Sequence, residues 1–306
     1  MRPIISETAP TKSSAWLERA GGGPQLLVAG DAVREAVRKA RQAGKSVGLV
    51  PTMGALHEGH LSLLETARSE CDLTIASVFV NPTQFSPQED FRNYPRDLTR
   101  DLELLGRLGC DIVFAPDNEE MYRPNHATFV DVGSIGQMLE GEFRPMHFRG
   151  VATIVLKLFQ LAPADRAYFG RKDYQQSIVV RQMVKDLNVP IDIRVCPTTR
   201  ESNGLAMSSR NVYLSADDRR RATALAKSLR IAEQLVSEGE RDVAAIRRLM
   251  QQEIDNTGGI KVQYIAFVAD GTLIPVARID GPTTVALAAI VGNTRLIDNT
   301  LLGGAS

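Results

Sequence analysis

The alternation of strand-like and helix-like segments predicts a doubly wound α/β domain with a parallel sheet, followed by a smaller α+β domain. Three observations carry that prediction. Short apolar or β-branched runs recur between amphipathic stretches as far as about residue 196. Beyond Cys196-Pro197 two long helical segments come first and strand-like runs after them. The chain has 306 residues, enough for two domains that each bury a core.

Residues 1–25, with Ser, Thr, Pro and the run Gly21-Gly22-Gly23, read as a flexible tail and lack the apolar stretch of a signal peptide. Ser46–Pro51 reads as a strand, after which Leu61, Leu64, Ala67 and Cys71 fall at helical spacing. Leu73–Val80 is strand-like and stops at Asn81-Pro82. Leu98, Leu102, Leu105 and Leu108 form a helical stripe, and Asp111–Ala115 is again strand-like. Val151–Leu161 reads as helix, Arg166–Phe169 as strand, Tyr174–Leu187 as helix and Ile191–Val195 as strand, completing a first domain over 26–198. In the second, 199–306, helices are expected over about Ala216–Glu238 and Asp242–Asn256, and strands over Val262–Val268 and Thr284–Ile290.

Composition excludes several classes. At 43% hydrophobic and 24% charged the chain is too apolar to be disordered. Lys plus Arg and Asp plus Glu both number 36, so no global field draws it to nucleic acid or an anionic membrane. Its longest apolar run, Val285–Val291, is far short of the ~18 residues of a membrane span. Cys71, Cys110 and Cys196 are widely spaced and odd in number, which suits a reducing compartment, and a cytoplasmic protein is expected.

The familiar nucleotide and metal motifs fail. Gly44-Lys45-Ser46 resembles the end of a P-loop, but Lys39 stands where the first glycine belongs. His57 and His60 are three apart, not the four of a zinc-binding helix, and the only other histidines are His126 and His147. What remains is Pro51–His60, between a strand and a helix. A helix start there offers free N–H groups and a positive dipole end to phosphate. Gly54 and Gly59 let backbone come close, and His57 and His60 share the first turn, where imidazoles can donate hydrogen bonds and, if protonated, offset charge. Gly170-Arg171-Lys172-Asp173 occupies a second crossover; Lys172 suits phosphate and Asp173 ribose hydroxyls. Met207-Ser208-Ser209-Arg210-Asn211 sets hydroxyls beside a guanidinium, a combination suited to polyphosphate. Asn81-Pro82-Thr83-Gln84-Phe85 follows a strand, where amides can bind a small polar substrate. Arg144–Gly150 adds basic groups with no role assignable from first principles. Taken singly, each cluster also reads as a cap, a turn or a solvated loop.

Taken together, PTMGALHEGH (51–60), FVNPTQF (79–85), HFRGVATIVLKLFQL (147–161), FGRKDYQQ (169–176) and GLAMSSRN (204–211) resemble the pantoate–β-alanine ligase family, from about Leu26 to about Leu301. The resemblance implies a Rossmann-like first domain of the nucleotidylyl transferase type, a C-terminal lid, a homodimer, magnesium, and ATP as co-substrate. ATP and pantoate would give pantoyl adenylate and pyrophosphate, and β-alanine would then displace AMP to form pantothenate. It further implies that Met53, Gly54, Ala55, Leu56, His57, Glu58, Gly59 and His60 line the ATP site. Gly170, Arg171, Lys172 and Asp173 would contact ribose and phosphate, and Thr199 would offer backbone to adenine. Met207, Ser208, Ser209 and Arg210 would clasp the triphosphate, while Asn81, Gln84 and Gln176 would hold pantoate and border β-alanine. His57, His60, Lys172 and Arg210 would be the catalytic set. Asp101, after the Tyr94-Pro95-Arg96 turn, is a candidate metal-side carboxylate. The chain departs from the family pattern at Arg171, usually Glu, at Asn203, usually Asp, and at Thr199, usually Val or Met. Two alternatives stand beside this reading: another nucleotidylyl transferase, and a nucleotide-binding module without turnover, which Arg171 would favour.

Overall fold

The computed structural model describes residues 23–87 and 89–304. The tail expectation thus falls mostly outside the described residues, although a strand already begins at Gln25. Six strands form the first sheet: β1 (Gln25–Leu27), β2 (Val47–Thr52), β3 (Leu73–Val78), β4 (Ile112–Phe114), β5 (Arg166–Gly170) and β6 (Asp192–Cys196). All their pairings are parallel, in the order β1-β4-β3-β2-β5-β6. The accompanying helices are α1 (Gly30–Gln42), α2 (Glu58–Glu70), α3 (Leu98–Arg107), α4 (Asn118–Met121), α5 (Glu140–Phe143), α6 (His147–Leu161) and α7 (Tyr174–Asp186).

Strand periodicity sends alternate side chains to opposite faces. Leu49, Ile75, Phe114 and Ala167 join the core under α1, α6 and α7, whereas Val50, Ala76, Val113 and Tyr168 join the core under α2 and α3. The sheet is therefore covered on both sides, as the apolar runs require. The second unit comprises α8 (Ala216–Ser237), α9 (Val243–Thr257) and the antiparallel sheet of β7 (Ile260–Ala269), β8 (Thr283–Val291) and β9 (Thr294–Leu302). Leu225, Leu229, Ile246 and Met250 of its helices pack on Phe267 and Leu287 of its sheet.

Five elements lie outside the sequence expectation: β1, α1, the one-turn helices α4 and α5, and β9. β1 is too short to show a period. β9 (TRLIDNTLL) breaks the apolar pattern because Asp298 and Asn299 are buried, at 3% and 4% exposure, against polar partners rather than solvent. α6 begins at His147 instead of Val151. Gly150 explains this, since a Cβ there would overlap the Thr83 carbonyl that the helix start packs against.

The site is positioned by the neighbouring strands β2 and β5. β2 connects onward to β3 on one side, and β5 to β6 on the other. Where adjacent parallel strands send their connections apart, a crevice opens beyond their carboxyl ends. The loop leaving β2 turns through two left-handed residues, Gly54 (φ 79°) and Ala55 (φ 50°). That turn aims the N–H groups of Ala55 and Leu56 at one carboxylate, Asp101 of α3, at 3.0 and 2.9 Å. Asp101 is 1% exposed, and burial raises its carboxyl above the usual range although both N–H groups oppose the shift. Both its oxygens hold the loop, a structural task that speaks against the metal-side role.

Asp101→Asn is expected to destabilise the protein by ~1–3 kcal/mol, since an amide can accept only one of the two bonds. Denaturant unfolding should show the same loss with and without magnesium chloride. A loss that appears only with magnesium present would restore the metal role.

Candidate active site

The cleft is assembled from three crossovers. α2 begins immediately after the β2 loop, and His57 is its N-cap: its Nδ1 accepts from the Gly59 N–H at 3.1 Å. Gly59 admits this cap because a Cβ would lie 3.0 Å from the imidazole. In a neutral ring, an accepting Nδ1 leaves the proton on Nε2. The His60 ring lies 4.1 Å from that of His57, centre to centre, tilted by 33°. Its Nδ1 is buried with no hydrogen-bond partner among the described residues.

The second crossover follows β5. Gly170 leads into a short 3-10 turn, Arg171–Asp173, where Lys172 Nζ lies 3.5 Å from Asp173 Oδ1. The third follows β6. The Met207 N–H donates to the Thr199 carbonyl at 3.0 Å, which folds the intervening segment back as a narrow hairpin. Two contacts pin this hairpin to the first crossover: the hydroxyls of Ser62 and Thr199 are 3.1 Å apart, and Ser209 Oγ donates to the Ala55 carbonyl at 3.2 Å.

Two joined cavities result, of ≈140 and ≈170 Å³. The first is lined by Met53, His57, Gly59, His60, Gly170, Lys172, Asp173, Thr199 and Met207–Arg210. Asn81, Gln84 and Gln176 line the second, and Met53, His60, Asp173 and Arg210 belong to both. The amides are themselves held. Asn81 Nδ2 donates to Gln84 Oε1 (3.0 Å) and to the Gly150 carbonyl (3.2 Å), and the Tyr122 hydroxyl donates to Asn81 Oδ1 (2.7 Å). Asn81 is thus a support for Gln84, whose Nε2 donates to Met53 Sδ.

Several expected ATP-site residues are not in the cleft. Gly54 shapes the loop and faces Asp101. Ala55 and Leu56 give their N–H groups to that carboxylate, and the Leu56 side chain is in the core. Glu58 is exposed on the first turn of α2, where a carboxylate favours the helix dipole. Arg171 turns away to Asp270. Other residues were not anticipated. Arg144 Nη1 lies 3.1 Å from His147 Nε2, and His147 Nδ1 donates to the Gln84 carbonyl at 2.9 Å. Asp90 pairs with Arg210 through Nε (3.0 Å) and Nη2 (2.9 Å), and Glu89 pairs with Arg144 at 2.7 Å. The basic run at 144–149 was the only sequence signal for any of these.

The electrostatics correct one further expectation. Burial, with the charges of Lys172 and Arg100 beside it, pushes the His57 imidazole down to about 4 against an opposing Asp173. Burial, His57 and Lys172 push His60 down to about 3. Both rings are neutral near pH 7, so they act as hydrogen-bonding groups, and the cleft's cations are Lys172, Arg210 and, on the amide side, Arg144. Among the described residues no three His, Cys, Asp or Glu side chains converge as a metal site. These residues do not form a protein cage for magnesium; an ion bound here would draw its ligands chiefly from phosphate oxygens and water.

Ring-proton NMR titration should give midpoints near 4 and 3 for these two histidines; a value near 6.5 for either would overturn the assignment. Because both folded values lie below the free imidazole's, the unfolded chain takes up protons first as pH falls. Their contribution is intact above about pH 6.5 and drains as pH falls from there to about 3. Denaturant midpoints measured across that window should fall less steeply in a His57→Asn, His60→Asn double variant.

Comparison with known proteins identifies the family and the fold. Residues 25–301 match the family profile described as pantoate-beta-alanine ligase. The pantothenate synthetase of Moorella thermoacetica is 53% identical over 278 residues, covering 91% of this chain and 98% of that protein. The crystal structure of pantothenate synthetase from Thermus thermophilus superposes with a TM-score of 0.86 at 44% identity, covering 90% of this chain and 98% of that one. A pantoate-beta-alanine ligase from Francisella tularensis, solved with β-γ ATP and β-alanine, superposes with a TM-score of 0.74 at 35% identity over 90% and 97% of the two chains. With coverage this complete from both sides, the chain belongs to the pantoate–β-alanine ligase family.

Proposed function

We propose that this enzyme condenses pantoate with β-alanine at the expense of ATP, through a pantoyl adenylate. The observation that carries the proposal is the pair of joined cavities, one lined by Lys172, Arg210 and both imidazoles and the other by amides with Arg144 and Arg210 beside them, with His60 at their junction. The cationic half suits a triphosphate and the amide half a small hydroxy acid.

The chemistry needs no protein nucleophile. A carboxylate oxygen of pantoate attacks the α-phosphorus, the bond to the β-phosphate breaks, and pyrophosphate leaves. The amine of β-alanine then attacks the acyl carbon, the acyl–oxygen bond breaks, AMP leaves, and the amine proton passes to water. Catalysis is positioning and charge stabilisation. Lys172 and Arg210 balance phosphate charge, and the His57 Nε2–H donates without changing its own charge. His60, unpartnered and central to both halves, is the group placed to hydrogen-bond the α-phosphate. Magnesium, carried by the triphosphate, would add to this neutralisation.

The same proposal extends to a cytoplasmic homodimer divided near residue 198, with its C-terminal unit as a lid over the nucleotide. Free Cys71, Cys110 and Cys196 suit the reducing compartment of that reading. Arg171, the one feature favouring a module without turnover, no longer does so, because its side chain leaves the cleft.

Pyrophosphate exchange into ATP should require pantoate but not β-alanine, and AMP release should require both. Exchange with another acid but not with pantoate would overturn the substrate assignment; nucleotide binding without AMP release would overturn the ligase. His60→Ala should lower turnover by at least ~10²-fold, as losing one preorganised donor does. Near-normal turnover in a folded variant would remove His60 from the mechanism.

A further inference from the structure

The lysine-bearing turn does not stand on its own sheet. Its backbone and its side chain are both fastened to the second unit. Asn299 of β9 donates its Nδ2 to the Arg171 carbonyl (2.9 Å) and to the Lys172 carbonyl (2.8 Å). Arg171 Nη2 donates to Asp270 Oδ1 (2.8 Å), just after β7, and to Thr284 Oγ1 (2.9 Å) of β8. Thr284 in turn donates to the same Asp270 oxygen at 2.6 Å. The guanidinium also lies 5.4 Å from the centre of the Tyr174 ring, whose hydroxyl accepts from the Gly271 N–H at 3.0 Å. Two residues on either side of one peptide thus have opposite destinations: Arg171 runs to the second sheet and Lys172 into the nucleotide half of the cleft.

We infer that Arg171 is a positioning residue for nucleotide binding, fixing through Asp270 and Thr284 the turn that aims Lys172. The inference rests on the proposed nucleotide site. A 3-10 turn of three residues has little internal hydrogen bonding to hold its shape, so its external anchors set where its side chains point. The pair is partly screened, with 26% and 28% side-chain exposure, and its effect is therefore one of orientation more than of fold stability. The amide half is held separately, because Gln84 is fixed by two side chains of its own domain, Asn81 at its amide oxygen and His147 at its carbonyl.

The test is calorimetric binding of α,β-methylene-ATP to the full chain and its variants. Arg171→Glu, which sets two carboxylates face to face, should weaken binding ~10-fold, and the charge-swapped pair Arg171→Glu, Asp270→Arg should recover most of that loss. If Arg171 acts through Lys172, adding Arg171→Glu to Lys172→Ala should change affinity by less than about twofold. Unaltered affinity in folded Arg171→Glu, or full additivity with Lys172→Ala, would overturn the inference. Should Arg171→Glu fail to fold, Thr284→Val decides the same question: weaker nucleotide binding at an unchanged melting temperature supports it, and unchanged binding overturns it. Wild-type protein that does not bind the analogue would overturn the nucleotide site and this inference together. Wild-type binding that is insensitive to Arg171 would overturn this inference alone.

Discussion

The adjacency of β2 and β5 in the parallel sheet is the constraint from which the site follows. Their register, Gly48 opposite Arg166 and Leu49 opposite Ala167, sets the two chain exits side by side. Neighbouring strands are ~4.8 Å apart, so the start of α2 and the lysine turn emerge within reach of one small ligand despite their distance in sequence. Other contacts refine that placement. Asp101 shapes the first exit, and the Ser62–Thr199 and Ser209–Ala55 contacts press the third crossover against it. Asn299 and Arg171 secure the second.

Charge in the cleft is balanced internally. A buried unpaired guanidinium is costly, and both arginines at the mouth already have carboxylate partners, Arg210 with Asp90 and Arg144 with Glu89. An incoming phosphate or carboxylate therefore competes with a resident anion instead of meeting bare positive charge. The imidazoles remain neutral for a related reason: Lys172 stands nearby and water is largely excluded. The chain's zero net charge has a local counterpart here.

Much of this was legible in the sequence. Alternation at period two and helical spacing located most of the strands and the longer helices, because one buried face per helix and two per central strand leave a strong apolar pattern. The motifs identified the crossovers, and His57, His60, Lys172, Arg210, Gln84 and Gln176 line the two cavities. Direction was the illegible part. Residues adjacent in a motif do not share a destination: Leu56 is core, Glu58 is solvent, and Arg171 belongs to another sheet. Nor could spacing reveal that Asp101 serves a loop, since its partners lie one crossover away. β9 was obscured by the same cause, because its buried Asp298 and Asn299 serve Arg200 and the lysine turn instead of an apolar core.

The accepting Nδ1 of His57 has a consequence for how the enzyme would respond to acidity. An imidazole that keeps one proton, on one nitrogen, throughout the neutral range is a constant donor and cannot serve as the proton sink of the second half-reaction. Responsiveness then passes to the incoming substrate. An alkylammonium gives up its proton only near pH ~10, and just its free-base fraction can attack an acyl carbon. The alkaline limb of turnover would thus be a property of the nucleophile's solution chemistry, with the protein a fixed electrostatic frame around it.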